Sequence, residues 1–570
     1  MLRPTLAALA LLTSADALAC GGFFCFNVPI DQSKERIIFA IDEQENTVET
    51  HVQIFYQGNA EEFSWVVPVP AVPELGLSSD AFFQYLDAVT APRFWLNWEE
   101  RGTCDYDSWY GPGALAAAES DDSDFAGGPP SANGVDVIAQ SQVGPYDQVT
   151  LRASTTDALL QWLGDNGYTI PSSIASSLSP YVASESYFIA LKLQKDREVG
   201  DIAPIKFTYA GTSASIPIVL TAIAATPDMR LQPYVLASSR AVPDNYLHVQ
   251  INEAAIDWMT GGSNYDAVIT QAANEAGGQA FATDFAGSTV PLRDSFYAEG
   301  RFNLGRLRAS STPAAFVQEL LNQGFPRNSQ VQALLREFIP MPQALVDMGL
   351  DEPSFYGCLE CYAEHLEGQP FDPVAFTAAL DELILQPMAE AEQLLHDHPF
   401  LTRLTSSMSP DEMTSDPIFA LNNDMSTVSN QHEAKYIIDC GNGGKYSEAP
   451  QWIELQDGTV ILMPPGKWYE TTGNWSYTSE DLDDVGAQVV EDARPAGAPV
   501  LVADNTPAVD ESVESHNAKV RAIYRDLGLD LPASLNGPGG KAACGCDTAS
   551  PSRTWLAAGL LALGLRRRRA

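Results

Sequence analysis

Basic residues are scarce in this chain of 570 residues. Lysine and arginine together number 32, against 74 aspartates and glutamates, so the formal net charge at pH 7 is −42. A field of that sign repels the phosphate backbone of nucleic acids and the headgroups of anionic lipids. The charge therefore excludes nucleic acid as a partner and favours cations or basic partners. It also keeps a protein soluble outside the cell, which is the simpler explanation.

The chain also lacks an apolar run of about 20 residues, the length that a membrane-spanning helix needs. A shorter run, residues 6–12, follows a positive charge and precedes Ala17-Leu18-Ala19. This arrangement is typical of a secretory signal peptide, and we expect residues 1–19 to be removed by cleavage between Ala19 and Cys20. Lipidation of Cys20, as in bacterial lipoproteins, is the alternative, although such signals usually carry leucine where Ala17 stands.

A second short apolar run, residues 555–565, lies near the opposite terminus. It comes after Cys544-Gly545-Cys546 and a short polar stretch, and four arginines follow it. This pattern resembles the C-terminal sorting tails of myxobacterial surface proteins. The resemblance implies that a sorting protease removes the tail and that a lipid anchor is attached at Cys544 or Cys546. Export machinery and that protease are then the expected partners, and the anchor is the expected membrane attachment, at the cell surface or outer membrane.

Motifs of several common enzyme classes are missing from the sequence. His432-Glu433 has Tyr436 where the helix of a zinc metalloprotease carries its second histidine. Gly444-Lys445 and Gly540-Lys541 both lack the earlier glycine of a phosphate-binding loop. A Gly-x-Ser-x-Gly nucleophile motif does not occur either. The sequence therefore indicates no cofactor and identifies no catalytic residue.

Histidine is rare, with seven residues in the chain. Imidazole is a common metal ligand, so His365, His396 and His398, which fall in a helical pattern, are weak metal candidates. His396 and His398 also stand just before Pro399 at an expected helix end, where histidine complements the helix dipole. We predict no metal site, and a metal-dependent hydrolase remains as an alternative.

Cysteine occurs eight times, an even number that favours disulfides in an oxidising compartment. The disulfide candidates are the cysteines outside the tail, namely Cys20, Cys25, Cys104, Cys358, Cys361 and Cys440. Because neighbours in sequence meet most easily, Cys20–Cys25 and Cys358–Cys361 are the pairings expected first. Cys358 and Cys361 are also compatible with redox chemistry or with half of a zinc site, and the full connectivity stays open.

The spacing of apolar residues predicts an α+β protein. Alternation over residues 37–56 indicates a β-hairpin with a polar loop, at the start of a mixed domain with an antiparallel sheet. A strand over residues 63–67 is expected to stop at Pro68-Val69-Pro70, because proline cannot sit inside a central ladder. Asp457-Gly458 suits a tight turn and predicts the clearest hairpin of the chain, in a smaller C-terminal β-hairpin region.

A central helical subdomain is predicted between these β-rich parts. Thr312-Pro313 and Asp372-Pro373 each combine a capping side chain with proline at the first helical position. Pro387 is expected to kink or end the second of these helices. One more helix is predicted over residues 512–527, after an acidic, loop-like stretch at 476–511.

These patterns divide the chain into six expected units. They are a signal peptide (1–19), an α+β domain (20–310), a helical subdomain (311–430), a β-hairpin region (431–475), an acidic loop and stem (476–543) and the sorting tail (544–570).

Scattered blocks of the first half resemble an uncharacterised bacterial family. They include Cys20-Gly21-Gly22-Phe23-Phe24-Cys25, Arg36-Ile37-Ile38-Phe39, Phe63-Ser64-Trp65-Val66-Val67-Pro68-Val69-Pro70, Tyr234-Val235-Leu236-Ala237, Ala241-Val242-Pro243 and Gly277-Gly278-Gln279-Ala280-Phe281. The family is catalogued as domain of unknown function 2330, and the resemblance covers roughly residues 20–340. It implies an exported domain and no known activity.

The resulting hypothesis is an exported, surface-anchored structural or binding protein, with catalysis uncertain and disfavoured. A secreted metal-dependent hydrolase is the first alternative. A thiol–disulfide protein that works through Cys358 and Cys361 is the second.

Overall fold

The structure is a computed structural model. It describes residues 32–53, 63–106, 135–168, 174–194, 202–223, 225–298, 300–326, 329–473 and 481–536. The signal-peptide cleavage site at Ala19 and Cys20, the cysteine at Cys25 and the anchoring candidates Cys544 and Cys546 lie outside these residues.

The strands are, in chain order, β1 (Gln32–Asp42), β2 (Thr47–Gln53), β3 (Ser64–Val69), β4 (Glu74–Leu77), β5 (Arg93–Asp105), β6 (Val135–Val143), β7 (Tyr146–Ala153), β8 (Tyr187–Leu193), β9 (Ile205–Ala210), β10 (Ala214–Ser215), β11 (Ala225–Ala237), β12 (Arg240–Pro243), β13 (Leu247–Ile251), β14 (Ala280–Ser288), β15 (Phe400–Met408), β16 (Ile418–Asn422), β17 (Gln431–Lys445), β18 (Gln451–Glu454), β19 (Val460–Met463), β20 (Ala487–Asp492) and β21 (Val500–Asp504).

The helices are α1 (Asp80–Thr90), α2 (Thr156–Asp165), α3 (Ala175–Ala183), α4 (Ile218–Thr221), α5 (Tyr265–Glu275), α6 (Leu304–Arg308), α7 (Pro313–Gln323), α8 (Ser329–Phe338), α9 (Gln343–Asp347), α10 (Glu352–Gly357), α11 (Pro373–Leu380), α12 (Gln386–Asp397), α13 (Gly466–Thr472) and α14 (Thr506–Asp526). Among the described helices, none combines the length and the apolar character that crossing a membrane requires.

A ten-stranded sheet organises the molecule, in the order β21-β20-β13-β14-β15-β11-β1-β2-β9-β4. The pairs β1–β11 and β13–β14 are parallel, and the other neighbours in this sheet are antiparallel. The predicted α+β class, with a largely antiparallel sheet, is confirmed. Strands from distant parts of the chain meet here, since β15 lies between β11 and β14.

Three smaller sheets surround the large one. Their orders are β3-β8-β7-β6, β10-β16-β12 and β19-β18-β17-β5. The first packs against one face of the large sheet in a common apolar core that includes Phe39, Trp65 and Phe207. The helical segment packs against the opposite face, where Ile38, Tyr234 and other residues form a second core.

Local sequence signals explain several of these elements. The hairpin β1–β2 is confirmed, and Asp42 stabilises its turn by accepting from the backbone N–H groups of Gln44 and Glu45. The Asp457-Gly458 turn between β18 and β19 is also confirmed, with Gly458 at φ +87°. The strand predicted to stop at Pro68-Val69-Pro70 does end there, at Val69, although Pro68 itself still lies in the ladder opposite Phe188. An edge strand tolerates proline, and β3 is the edge of its sheet.

The helical part begins and ends as the capping signals indicate. The side chains of Thr312 and Asp372 accept from backbone N–H groups in the first turns of α7 and α11, as predicted. Pro387 does not end the second helix, because a π-helical turn (Asp381–Leu385) lies just before it and α12 continues to Asp397. Pro387 thus falls in the first turn of α12, where its missing N–H does little harm.

The prediction of a loop-like stretch at 476–511 is wrong. Strands β20 and β21 occupy part of it and form one edge of the ten-stranded sheet. The last helix, α14, begins at Thr506 rather than at residue 512. Acidic side chains obscure this edge in the sequence, because Ala487 and Val490 are the β20 residues that belong to the apolar core, and they do not alternate. The division of the chain into domains stays a prediction.

Candidate functional site

The structure brings one of the three candidate histidines close to two carboxylates. His396 Nε2 lies 3.4 Å from Glu392 Oε1 and 3.6 Å from Asp294 Oδ1. The carboxylate of Glu392 is buried and already accepts from two backbone N–H groups, those of Asp294 at 2.7 Å and Tyr297 at 3.0 Å. Glu392 therefore holds the loop that follows β14, and this contact explains why the cluster forms.

The other two candidate histidines do not join that cluster. His398 is buried at the end of α12, where its Nδ1 lies 3.1 Å from the carbonyl oxygen of Leu394. His365 is exposed at the end of a 3-10 helix (Leu359–His365). In the part of the chain that the structure describes, the three residues whose ligand atoms lie within 4.8 Å of one another are Asp294, Glu392 and His396.

Two cysteine pairs lie at disulfide distance. Cys358 and Cys361, the local pair expected from the sequence, are bonded with their Cα atoms 5.3 Å apart. Cys104 on β5 is bonded to Cys440 on β17, with a Cα separation of 5.1 Å across 336 residues of sequence. The second bond reinforces the β5–β17 pair and has no local signature in the sequence.

A polar cleft of about 740 Å³ opens beside β13 and β14. Strands β12 and β20 and the beginning of β17 also contribute to its walls, so residues from five strands meet there. Its polar lining includes Arg240, His248, Glu253, Thr283, His432 and Glu491. Sequence reasoning identified none of them as functional, because they are spread over 252 positions (491 − 240 + 1).

The centre of the cleft is a chain of three hydrogen-bonded side chains. His248 lies opposite Glu491 in the β13–β20 ladder, and its Nδ1 is 2.9 Å from Glu491 Oε1. Its Nε2 is 2.9 Å from Thr283 Oγ1 on β14. Because an ionised carboxylate only accepts, Nδ1 carries the imidazole proton and Nε2 accepts from the threonine hydroxyl.

Burial determines the charge state of this chain of groups. Burial lowers the pKa of His248, which favours the neutral imidazole. Burial acts to raise the pKa of Glu491, but the hydrogen bonds from His248 and Gln250 and the charge of Arg240 outweigh it and lower that pKa. A neutral imidazole between a carboxylate and a hydroxyl is the arrangement of a general base.

Arg240 lies beside Thr283 and is 4% exposed. Its Nη1 donates to the carbonyl oxygen of Ser426 at 2.9 Å, and its Nη2 donates to Thr283 Oγ1 at 3.1 Å. Its Nε is buried and has no hydrogen-bond partner within the described residues. No carboxylate of that part of the chain lies within ion-pair distance of the guanidinium, although Glu491 acts on it from farther away.

The two remaining acids of the cleft that are buried or half-buried are occupied. Asp284 at the back accepts from Arg403 Nε at 2.9 Å and from the hydroxyls of Thr405 and Tyr265. At the opposite rim, Glu253 Oε1 lies 2.7 Å from His432 Nδ1. The arrangement leaves Arg240 as the buried cation of this cleft that lacks a counter-ion.

Comparisons with known proteins identify a family and no characterised relative. Searches of curated proteins and of solved structures find no match. A family model described as an uncharacterized protein conserved in bacteria matches residues 14–334, which is more than half of the chain. The match includes Arg240, His248 and Thr283, whereas Glu491 lies beyond it. The chain therefore belongs to this bacterial family, DUF2330.

Proposed function

We propose that this protein is exported, is held at the cell surface, and binds a small molecule that carries a carboxylate or phosphate group in the polar cleft. The observation that carries the binding proposal is the buried Nε of Arg240, which has no acceptor among the described residues. A buried charge without a partner is costly, and an anionic ligand would supply both the counter-ion and the missing acceptor.

The neighbouring acids support this choice of ligand. Asp284 is neutralised by Arg403, and Glu253 and Glu491 are hydrogen-bonded to histidines. These carboxylates cannot turn toward Arg240 without leaving another buried group unpaired. A ligand anion is therefore the partner that Arg240 can gain at least cost.

Binding of simple anions tests the proposal directly. We expect sodium phosphate or acetate, titrated into the protein at constant ionic strength, to give a calorimetric binding signal and to raise Tm. The variant Arg240→Gln should weaken binding at least tenfold. Arg306→Gln is the matched control, because Arg306 is exposed and paired with Glu319 on the surface. Equal binding by both variants, or no binding to the unmodified protein, would contradict the proposal.

Export and anchoring are supported by the two terminal segments and by the disulfides, which persist in oxidising compartments. Mass spectrometry of protein from the cell-surface fraction should find Cys20 as the first residue and should find no residues 566–569. Intact protein in the cytosol, with Met1 present and all cysteines reduced, would refute this part.

A second candidate function, ester hydrolysis, is favoured by the contact between Thr283 and His248. In such a reaction Thr283 Oγ1 attacks the carbonyl carbon, and its proton passes to His248 Nε2. The proton then leaves with the alcohol, and water cleaves the acyl group from Thr283. Arg240 Nη2 already donates to Thr283 Oγ1, and it would stabilise the negative charge that develops on Oγ1 as the proton leaves.

Hydrolysis of p-nitrophenyl acetate separates the catalytic hypotheses. The threonine mechanism requires that Thr283→Val and His248→Gln abolish activity and that a metal chelator leaves it unchanged. Activity that the chelator and His396→Ala both remove would instead support a metal-dependent hydrolase at Asp294, Glu392 and His396. If turnover does not exceed the buffer rate, both catalytic hypotheses fail and only the binding function remains.

A further inference from the structure

A second pocket lies along another part of the ten-stranded sheet and shares no lining residue with the polar cleft. It has a volume of about 270 Å³ and lies between strands β1, β2 and β9 of the large sheet and β3 of the smaller one. Its walls are largely apolar, formed by Ile37, Phe39, Val52, Trp65, Val67 and Phe207. Its lining also includes the exposed residues Pro70 and Ser213, which mark its opening to solvent.

Two carboxyl groups line the same pocket. Glu35 belongs to β1 and is 8% exposed. Its Oε2 accepts a long hydrogen bond of 3.4 Å from Thr221 Oγ1. Asp416 Oδ1 accepts from Tyr181 OH at 2.9 Å and from the backbone N–H of Val219 at 3.1 Å. The two acids interact electrostatically with each other.

A cation is missing from this arrangement. Within the described residues, no lysine, arginine or histidine lies within ion-pair distance of Glu35 or Asp416. Burial raises the pKa of Glu35 to about 7, and burial also raises the pKa of Asp416. Acids that are paired in the protein behave in the opposite way, as Glu49 does beside His51 and Lys206.

We propose that this pocket binds a small amphiphilic amine, with its ammonium group between Glu35 and Asp416 and its hydrocarbon body against Trp65 and Phe207. The apolar walls provide the burial that a hydrocarbon chain or ring gains from leaving water. The two carboxyls provide the counter-charge that an ammonium group requires when it is buried. A cavity of about 150 Å³ holds one benzene ring, so this pocket has room for a ring with a short aminoalkyl chain or for a six-carbon amine.

The ligand class follows from the polar end rather than from the volume. A fatty acid would place its carboxylate beside two acids, and the net negative charge of the protein would add to the repulsion. A neutral alcohol fits the apolar walls equally well but forms no ion pair. Affinity for an amine relative to an alcohol of the same length therefore measures the contribution of the acids.

Calorimetric titration with n-hexylamine, n-hexanol and sodium hexanoate tests the proposal on the full folded protein. We expect hexylamine to bind at least tenfold more tightly than hexanol, and hexanoate to bind more weakly still. Glu35→Gln should reduce the affinity for hexylamine at least tenfold and leave the affinity for hexanol within twofold. The matched control Glu74→Gln removes an exposed acid on β4 and should change neither affinity.

Two outcomes would overturn the proposal. One is equal affinity of the unmodified protein for hexylamine and hexanol, and the other is unchanged hexylamine binding by Glu35→Gln. If that variant does not fold, as judged by its thermal melt, the ratio of the two affinities in the unmodified protein decides. Because Arg240 lies in a different cleft, Arg240→Gln should bind hexylamine normally, which keeps this proposal separate from the anion site.

Discussion

At the scale of single residues, Asp284 and Arg403 form the most deeply buried ion pair of the cleft's back wall. The Asp284 side chain is fully buried, that of Arg403 is 3% exposed, and Oδ2 and Nε are 2.9 Å apart. Asp87 Oδ1 provides a second contact to Arg403 at 2.9 Å. This deeply buried network positions strands β14 and β15 against α1.

Removing one partner of this pair should therefore be costly. We expect Asp284→Ala to lower the free energy of unfolding by about 3–5 kcal/mol, because the buried Arg403 loses its acceptor and counter-charge. Asp266→Ala, which removes an exposed partner of Arg230 on α5, should cost less than about 1 kcal/mol. Urea denaturation of both variants checks the difference, and similar losses would show that the network contributes little.

Glu35 makes stability depend on pH in a defined window. Its pKa rises from 4.5 to about 7 on folding, because of burial and the nearby charge of Asp416. Between those values the folded state keeps a proton that the unfolded chain has lost, so the free energy of unfolding falls as pH rises. We therefore compare the free energy of unfolding of Glu35→Gln with that of the unmodified protein. We expect the difference to grow in favour of the variant by roughly 1–3 kcal/mol as pH rises from 4.5 to 7.5. Denaturation at both pH values checks this, and a constant difference would contradict it.

At the scale of elements, the parallel pair β5–β17 depends on a close backbone approach. Gly102 pairs with Gly441 at a register shift, two residues before Cys104. Gly102 has φ +86°, and a Cβ there would overlap the carbonyl oxygen of Gly441. Only glycine fits a position that combines a left-handed backbone with such contact.

Gly102→Ala should accordingly destabilise the protein by about 2–4 kcal/mol. Gly164 in α2 is the matched control, since a Cβ there meets no atom within 4 Å. Gly164→Ala should stabilise by roughly 0.5–1 kcal/mol. Thermal melts of the two variants should move in opposite directions, and a neutral Gly102→Ala would show that β5 can shift along β17.

At the scale of the whole molecule, the two disulfides should differ in how much they stabilise the folded state. Cys104–Cys440 closes a loop across 336 residues, whereas Cys358–Cys361 spans three. In the chain-entropy account, replacing both cysteines by alanine should cost roughly 5–6 kcal/mol for the long bond and about 1–2 kcal/mol for the short one. Denaturant midpoints under non-reducing conditions check the ranking. A role for Cys358 and Cys361 in thiol exchange requires in addition that the pair be reversibly reduced while the protein stays folded.

The sequence by itself determined the features that depend on neighbouring residues. The Asp42 and Asp457-Gly458 turns, the capped starts of α7 and α11, and the α+β class all follow from signals that act over a few positions. Net charge and family membership belong to this group as well, since both are read from the chain directly.

Only the tertiary structure decided which distant residues meet. The register of β13 with β20 and β14 brings His248 to Glu491 and Thr283, and the β5–β17 ladder brings Cys104 to Cys440. A strand shows in its sequence which residues are apolar, but its backbone groups pair equally well with many other strands. The choice among partners is made by the packing of the whole core, so no local pattern contains it.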